Sequence, residues 1–197
     1  ISEDELIQIE FDALLNDYLN SNHRKKVELI TKAFNFANTA HKGIRRRDGQ
    51  PYIMHPLAVA RIVSTEIGMG STSICAALLH DVVEDTDTAL EELRLIYGEE
   101  VTDAVSALTK NDELTTKEEQ MADSLKRIQS QPKEVWAVKL ADRITNLQKP
   151  PSKWKKQKKI NYRAEAQMIL DALGEGNEYL ASRLATKITE YEFYFKS

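Results

Sequence analysis

An apolar run that ends in a group of ionisable side chains constrains the fold of this chain more than any other stretch. The apolar residues Ile74–Leu79 are followed at once by His80–Asp85, which contains one histidine, two aspartates and one glutamate. The apolar run predicts a buried helix from Ser71 to Val83. Ionisable groups are costly to hold beside a core unless something compensates their charge. The stretch therefore predicts either a binding site or a polar helix end that faces solvent.

A metal ion is the compensation that this stretch favours, because neutral histidine and ionised aspartate are both metal ligands. On a continuous helix His80 and Glu84 share a face at i,i+4 spacing, as do Asp81 and Asp85. One end of the stretch can then bind a metal ion while the other end handles a water molecule or substrate.

Helical spacing of apolar residues recurs along the chain, and its 7 glycines and 5 prolines fall mostly between the periodic segments. No segment shows convincing strand alternation, and no internal repeat or low-complexity linker interrupts the chain. The sequence therefore predicts one all-α domain of about ten helices. His41 continues the apolar face of the second helix, so we expect it to be packed or to cap the helix rather than to bind a metal.

Composition excludes several classes of protein. The net charge of −4 offers no strong attraction to duplex nucleic acid. Cys75 is the only cysteine, which excludes an internal disulfide and a cysteine-based zinc site. No apolar run is long enough to span a membrane, and no signal peptide is recognisable at the start. We expect a cytoplasmic protein that binds neither duplex nucleic acid nor a membrane; its oligomeric state is not predicted.

A basic loop, Lys42–Tyr52, lies between the second and third predicted helices and contains three consecutive arginines. Guanidinium groups bind phosphates in a bidentate manner, so the loop is a candidate phosphate site. A solvated basic turn is the alternative. His55–Pro56 then opens the next helix, because proline is favourable in the first turn.

Four candidate metal ligands come from three predicted helices: His55, His80, Asp81 and Asp142. Two imidazoles and two carboxylates leave positions open for water and a substrate oxygen. This mixed set of nitrogen and oxygen ligands suits Mn²⁺, Fe²⁺ or Zn²⁺. With only two histidines available, the set predicts one metal ion rather than a bridged pair.

Three segments carry a resemblance to a known family: Arg46–Pro56, Ala77–Thr86 and Val138–Leu147. In this order they resemble the HD-domain metal-dependent phosphohydrolases, and more closely the hydrolase domain of the RelA/SpoT homologues. The resemblance covers residues 33–147, and more loosely the rest. It implies one HD-type domain over 1–197, a helical bundle that the helices of 152–197 complete. With no room for a synthetase or regulatory domain, the chain looks like a stand-alone small alarmone hydrolase.

The resemblance also implies a reaction and a set of functional residues. The reaction is Mn²⁺-dependent removal of the 3′-pyrophosphate from guanosine tetra- or pentaphosphate, which yields pyrophosphate and GDP or GTP. One Mn²⁺ ion would be bound by His55, His80, Asp81 and Asp142. Glu84 and Asp85 match the acidic pair that activates the attacking water. The positions that match contacts to the guanine nucleotide are Arg46, Arg47, Asn146 and Tyr162.

Two departures from the family pattern leave other functions open. Asp48 stands where some relatives have serine, and Gln148–Pro151 differs from the long bifunctional enzymes. One alternative keeps the metal chemistry but acts on an adenosine alarmone or on the 2′-phosphate of NADPH. Another is a non-catalytic alarmone sensor, although such a sensor need not retain both Glu84 and Asp85.

Overall fold

The computed structural model describes residues 1–21 and 25–196, and the chain divides into an N-terminal unit, 1–110, and a C-terminal unit, 111–197. Within the described residues every regular element is helical, and the only β-pairing is an isolated bridge between Arg45 and Pro51. The all-α prediction is confirmed. The interpretation of 1–197 as one domain stays a prediction.

Seven α-helices form the N-terminal unit in its described part. Their bounds are α1 Glu3–Leu19, α2 Val27–Ala40, α3 Met54–Arg61, α4 Ser71–Leu79, α5 Val82–Asp85, α6 Leu90–Tyr97 and α7 Glu99–Leu108. A π-helical turn, Ile62–Glu66, extends α3. Gly68 follows that turn at φ +65°, a backbone conformation that suits glycine and ends the helix.

Helix α4 is the centre of this unit because its sequence is apolar all round. It packs against α2, α3 and α7, and every residue from Ser73 to Leu79 is buried. Burial on all sides is what an apolar helix without a polar face requires. The predicted continuous helix Ser71–Val83 is wrong in one respect. The helix ends at Leu79, His80 and Asp81 form a turn, and α5 begins at Val82.

The basic loop folds back on itself between α2 and α3. The Arg46 backbone N–H donates to Gln50 O at 2.8 Å, and the Tyr52 N–H donates to Ile44 O at 2.9 Å. Gly49 adopts φ +88° at the tip, which a side chain would disfavour. These bonds place Tyr52 directly before α3, whose second residue is His55.

The C-terminal unit contains four α-helices within its described residues. Their bounds are α8 Lys117–Gln129, α9 Lys133–Asn146, α10 Lys156–Leu173 and α11 Glu178–Tyr191. Thr116 caps α8 by accepting from the Glu119 N–H at 3.1 Å, and Asn177 caps α11 in the same way. Helix α9 packs against α8, α10 and α11, and it carries Asp142 on a nearly continuous stretch of buried residues.

Candidate metal centre

Two buried histidines meet where α3 begins and α4 ends. His55 and His80 are 3% and 4% exposed, and their ring centroids lie 5.4 Å apart. Each ring offers a nitrogen, and these two nitrogens lie within 4.8 Å of one another. Their place at helix ends explains how polar rings reach the edge of an apolar core.

The protonation of His80 is set by the backbone of its own helix. Nδ1 lies 2.6 Å from the carbonyl oxygen of Ala77, so it carries a proton and donates. In the neutral ring, Nε2 then presents a lone pair. Nε2 lies 3.0 Å from Oδ2 of Asp81, and the same oxygen lies 3.7 Å from Nε2 of His55. Lone pairs that converge on one region call for a shared cation, so this donor set fits a metal ion.

Tyr52 supports Asp81 from outside this group, a role that the sequence did not predict. Its hydroxyl donates to Oδ2 of Asp81 at 2.8 Å, and its ring stacks on His41 with centroids 4.8 Å apart. Hydrogen bonds to ligating carboxylates fix their orientation and typically matter 10–100-fold for metal affinity. The available signal was that Tyr52 lies three residues before His55, inside one of the matching segments.

Glu84 and Asp85 lie together on the short helix α5 but bind different partners. Oδ2 of Asp85 is 3.3 Å from Nε2 of the buried His41. Oε1 of Glu84 accepts from the backbone N–H of Lys110 at 2.6 Å. Both acidic residues are exposed at the surface. The structure thus gives the predicted acidic pair two distinct surroundings.

The arginines of the basic loop are not equivalent. Arg45 forms a two-pronged ion pair with Glu3 of α1, with contacts of 2.5 and 2.8 Å. Arg46 instead lies over the Tyr52 ring, with its guanidinium carbon 5.9 Å from the centroid. Arg47 is exposed. The loop therefore keeps Arg46, but not Arg45, beside the Tyr52–Asp81 pair.

Asp48 shapes the same loop rather than standing apart from it. Its carboxylate accepts from the Gln50 N–H at 3.0 Å, the pattern of an Asx turn. The Asp48 carboxylate, which lies in the loop that is a candidate phosphate site, therefore stabilises a turn of that loop.

In the C-terminal unit, Asp142 is nearly buried and has two partners on its own helix. Nζ of Lys139 lies 3.6 Å from its Oδ2, and Nδ2 of Asn146 donates to its Oδ1 at 3.3 Å. Asp142 and Lys139 are each 8% exposed. Predicted residues Asp142 and Asn146 therefore lie together on α9, as their i,i+4 spacing requires.

Tyr162, the last predicted contact, lies on α10 in an aromatic cluster. The Arg143 guanidinium lies 4.3 Å from the centroid of its ring, and Trp154 packs edge-on at 5.3 Å. Lys158 lies over Trp154, and Lys159 donates to the carbonyl of Tyr194 at 3.1 Å. Lys158 and Lys159, in the first turn of α10, therefore pack against other residues of the C-terminal unit.

Comparison with known proteins places these residues in a family context. The family described as "HD domain" matches residues 33–175. The guanosine-3′,5′-bis(diphosphate) 3′-pyrophosphohydrolase MESH1 of Xenopus tropicalis is 38% identical over 163 residues, covering 79% of this chain and 90% of that protein. The pyrophosphohydrolase of Aquifex aeolicus is 40% identical over 131 residues, which are 66% of this chain but 19% of that longer protein.

A solved structure shows the same fold. This is a metazoan orthologue of SpoT that hydrolyzes ppGpp and plays a role in starvation responses. It superposes with a TM-score of 0.76 at 26% identity and covers 86% of this chain and 98% of that one. Among the described residues of our chain, no helix has the length and apolar character needed to cross a membrane.

Proposed function

We propose, from the premise that this chain belongs to the HD domain family, that it removes the 3′-pyrophosphate of guanosine tetra- and pentaphosphate. In this reaction water attacks the phosphorus that is bonded to the ribose 3′ oxygen, the bond between that phosphorus and the 3′ oxygen breaks, and the 3′ oxygen takes up a proton. The products are pyrophosphate and GDP or GTP. The observation that carries the proposal is the convergence of His55, His80 and Asp81 at the edge of the core. The similarity to a 3′-pyrophosphohydrolase over most of both chains supports it.

Membership of the HD domain family implies a divalent metal ion. We assign the ion as a single Mn²⁺ and its ligands as His55, His80, Asp81 and Asp142. When bound, the ion would supply Lewis acidity and offset charge on the phosphoryl oxygens. The residues of this chain prepare the site for it. Ala77 fixes the His80 tautomer, and Tyr52 orients Asp81.

The remaining predicted residues divide between water and nucleotide. We assign Glu84 and Asp85 to the attacking water, because both are exposed carboxylates close in the chain to His80 and Asp81, and a carboxylate can act as a general base. Arg46 and Arg47 would neutralise the phosphates of a highly charged ligand. Asn146 and Tyr162 would contact the nucleoside. We place this reaction in the cytoplasm, with a small-molecule substrate.

A product assay tests the proposal directly. The folded protein is incubated with guanosine tetraphosphate and Mn²⁺, and the products are separated by anion exchange. We expect pyrophosphate and GDP in equal amounts, with no product after chelation by EDTA. The variant His80→Ala, checked for folding by circular dichroism, should lose at least about a thousandfold in kcat/KM. A metal-loaded protein that forms neither product would refute the proposal and favour the sensor.

A further inference from the structure

His41 occupies a position between two oxygen acceptors at the end of α2. It is 2% exposed and is the C-cap residue of that helix. Nδ1 lies 3.1 Å from the carbonyl oxygen of Ala37, and Nε2 lies 3.3 Å from Oδ2 of Asp85. The ring is held flat against Tyr52, so it has little freedom to turn.

The chemistry of these neighbours determines what the ring donates. A backbone carbonyl and an ionised carboxylate both accept hydrogen bonds, so each ring nitrogen must carry a proton to satisfy both. Helix α2 and Asp85 therefore each accept a hydrogen bond from one ring nitrogen of His41.

We propose that His41 is a positioning residue for the hydrolysis proposed above, acting through the carboxylate of Asp85. Its Nε2–H holds one oxygen of Asp85, so the other oxygen is oriented for the attacking water. Glu84 is engaged differently, by the backbone N–H of Lys110, and fastens α5 to the chain that follows α7. Asp85 is thus the member of the acidic pair that handles the water proton. This inference rests on the proposed function.

A double-mutant cycle tests whether His41 acts through Asp85. His41→Phe keeps an aromatic ring against Tyr52 but removes both donors, and we expect kcat to fall about ten- to a hundredfold. KM and the affinity for Mn²⁺ should stay within about twofold of wild type. The kcat of Asp85→Asn should fall further, by about 10²–10⁴-fold. The double variant should match Asp85→Asn alone, because the partner through which His41 acts is already lost.

Two further variants separate positioning from general damage. Tyr97→Phe removes the hydrogen bond of 3.1 Å that the Tyr97 hydroxyl donates to the backbone carbonyl of Lys32 on the same helix α2. This variant should leave kcat unchanged. His41→Gln keeps one donor and should recover part of the activity lost in His41→Phe. Independent, multiplying losses in the double variant, or a loss of Mn²⁺ affinity in His41→Phe equal to its loss of kcat, would overturn the proposal.

A measurement without turnover keeps the two proposals distinguishable. Nitrogen-15 NMR of the imidazoles, recorded with diamagnetic Mg²⁺ in place of Mn²⁺, should show both His41 ring nitrogens protonated in wild type. The Nε2 signal should shift in Asp85→Asn. A wild-type protein without hydrolase activity but with this signature would refute the reaction and leave the His41–Asp85 pair standing. A neutral His41 whose signals ignore Asp85→Asn would refute the positioning role even in an active enzyme.

Discussion

Replacing Lys139 by methionine is expected to destabilise the metal-free protein much more than the metal-loaded protein. Nζ of Lys139 lies 3.6 Å from Oδ2 of Asp142, with side chains only 10% and 11% exposed. Two unit charges at that separation attract by about 4.6 kcal/mol at an effective dielectric constant of 20. Removing one partner of a buried pair typically costs 3–5 kcal/mol, because the remaining charge is left uncompensated. Without metal, we therefore expect a loss of about 4 kcal/mol.

A bound divalent ion changes this balance, because we propose that Asp142 is one of its ligands. The ion then offsets the carboxylate charge in place of Lys139, and the loss should shrink to about 1 kcal/mol. Thermodynamic linkage turns the difference of about 3 kcal/mol into a metal affinity roughly a hundredfold higher in Lys139→Met. The two effects must appear together, since they are one coupling free energy measured from two sides.

Urea denaturation, followed by circular dichroism with EDTA or with saturating Mn²⁺, measures the first effect, and titration calorimetry measures the second. The matched control is Arg127→Met, which removes an ion pair to Asp123 on α8 at 2.9 Å. That pair is about one third exposed, so its loss should cost under about 1 kcal/mol with or without metal. Equal losses for Lys139→Met in both conditions would show that Asp142 does not bind the ion.

Three further experiments have an expected outcome. Arg46→Ala should raise KM for guanosine tetraphosphate about tenfold, as expected for the loss of one charge-assisted contact. In the wild-type protein Glu3 holds the guanidinium of Arg45, so the KM of Arg45→Ala should stay within about twofold of wild type in steady-state assays. In a panel of nucleotides, guanosine tetraphosphate should be hydrolysed faster than adenosine alarmones and NADPH; a faster alternative would reassign the substrate. Burial raises the pKa of the Cys75 thiol to about 12 from its ordinary 9.0, so the folded protein keeps a proton that the unfolded chain releases. Stability should therefore fall between about pH 9 and 12, and denaturation of Cys75→Ala should show a smaller fall.

Sequence periodicity was sufficient to predict most helices, because a buried face repeats at helical spacing whatever lies against it. Phe11 and Phe34 show what periodicity leaves out. Each is a buried residue of its own helix, but their stacking at 4.0 Å is a contact between α1 and α2. Spacing within a helix says nothing of which helix lies opposite. For the same reason spacing cannot show whether all the helices pack into one domain, and that interpretation stays a prediction.

Candidate site residues could be named from the sequence where the side chain is a common metal ligand or base, and the resemblance to a family indicated their roles. These roles stay predictions. Residues that act on other residues were harder to find. His41 was predicted to be packed or to cap a helix, and it is buried at the end of α2. Its contact with Asp85 joins positions 44 residues apart in the chain. The contact of Tyr52 with Asp81 could not be predicted either, because it depends on the hydrogen bonds within the loop that bring the Tyr52 hydroxyl to Asp81.

The break in the helix after Leu79 explains how His80–Asp85 accommodates its charges. Adjacent residues on a continuous α-helix do not face each other. A helix through Val83 would therefore have separated the His80 ring from the Asp81 carboxylate. Because the chain turns at these residues, Nε2 of His80 and Oδ2 of Asp81 approach to 3.0 Å, with His55 beside them. Helix α5 then starts afresh and directs Asp85 to His41 and Glu84 to Lys110. The turn thus separates His80 and Asp81, which lie beside His55, from the acidic residues of α5, whereas the i,i+4 pairs of a continuous helix would have placed each of them on a face with one of those residues.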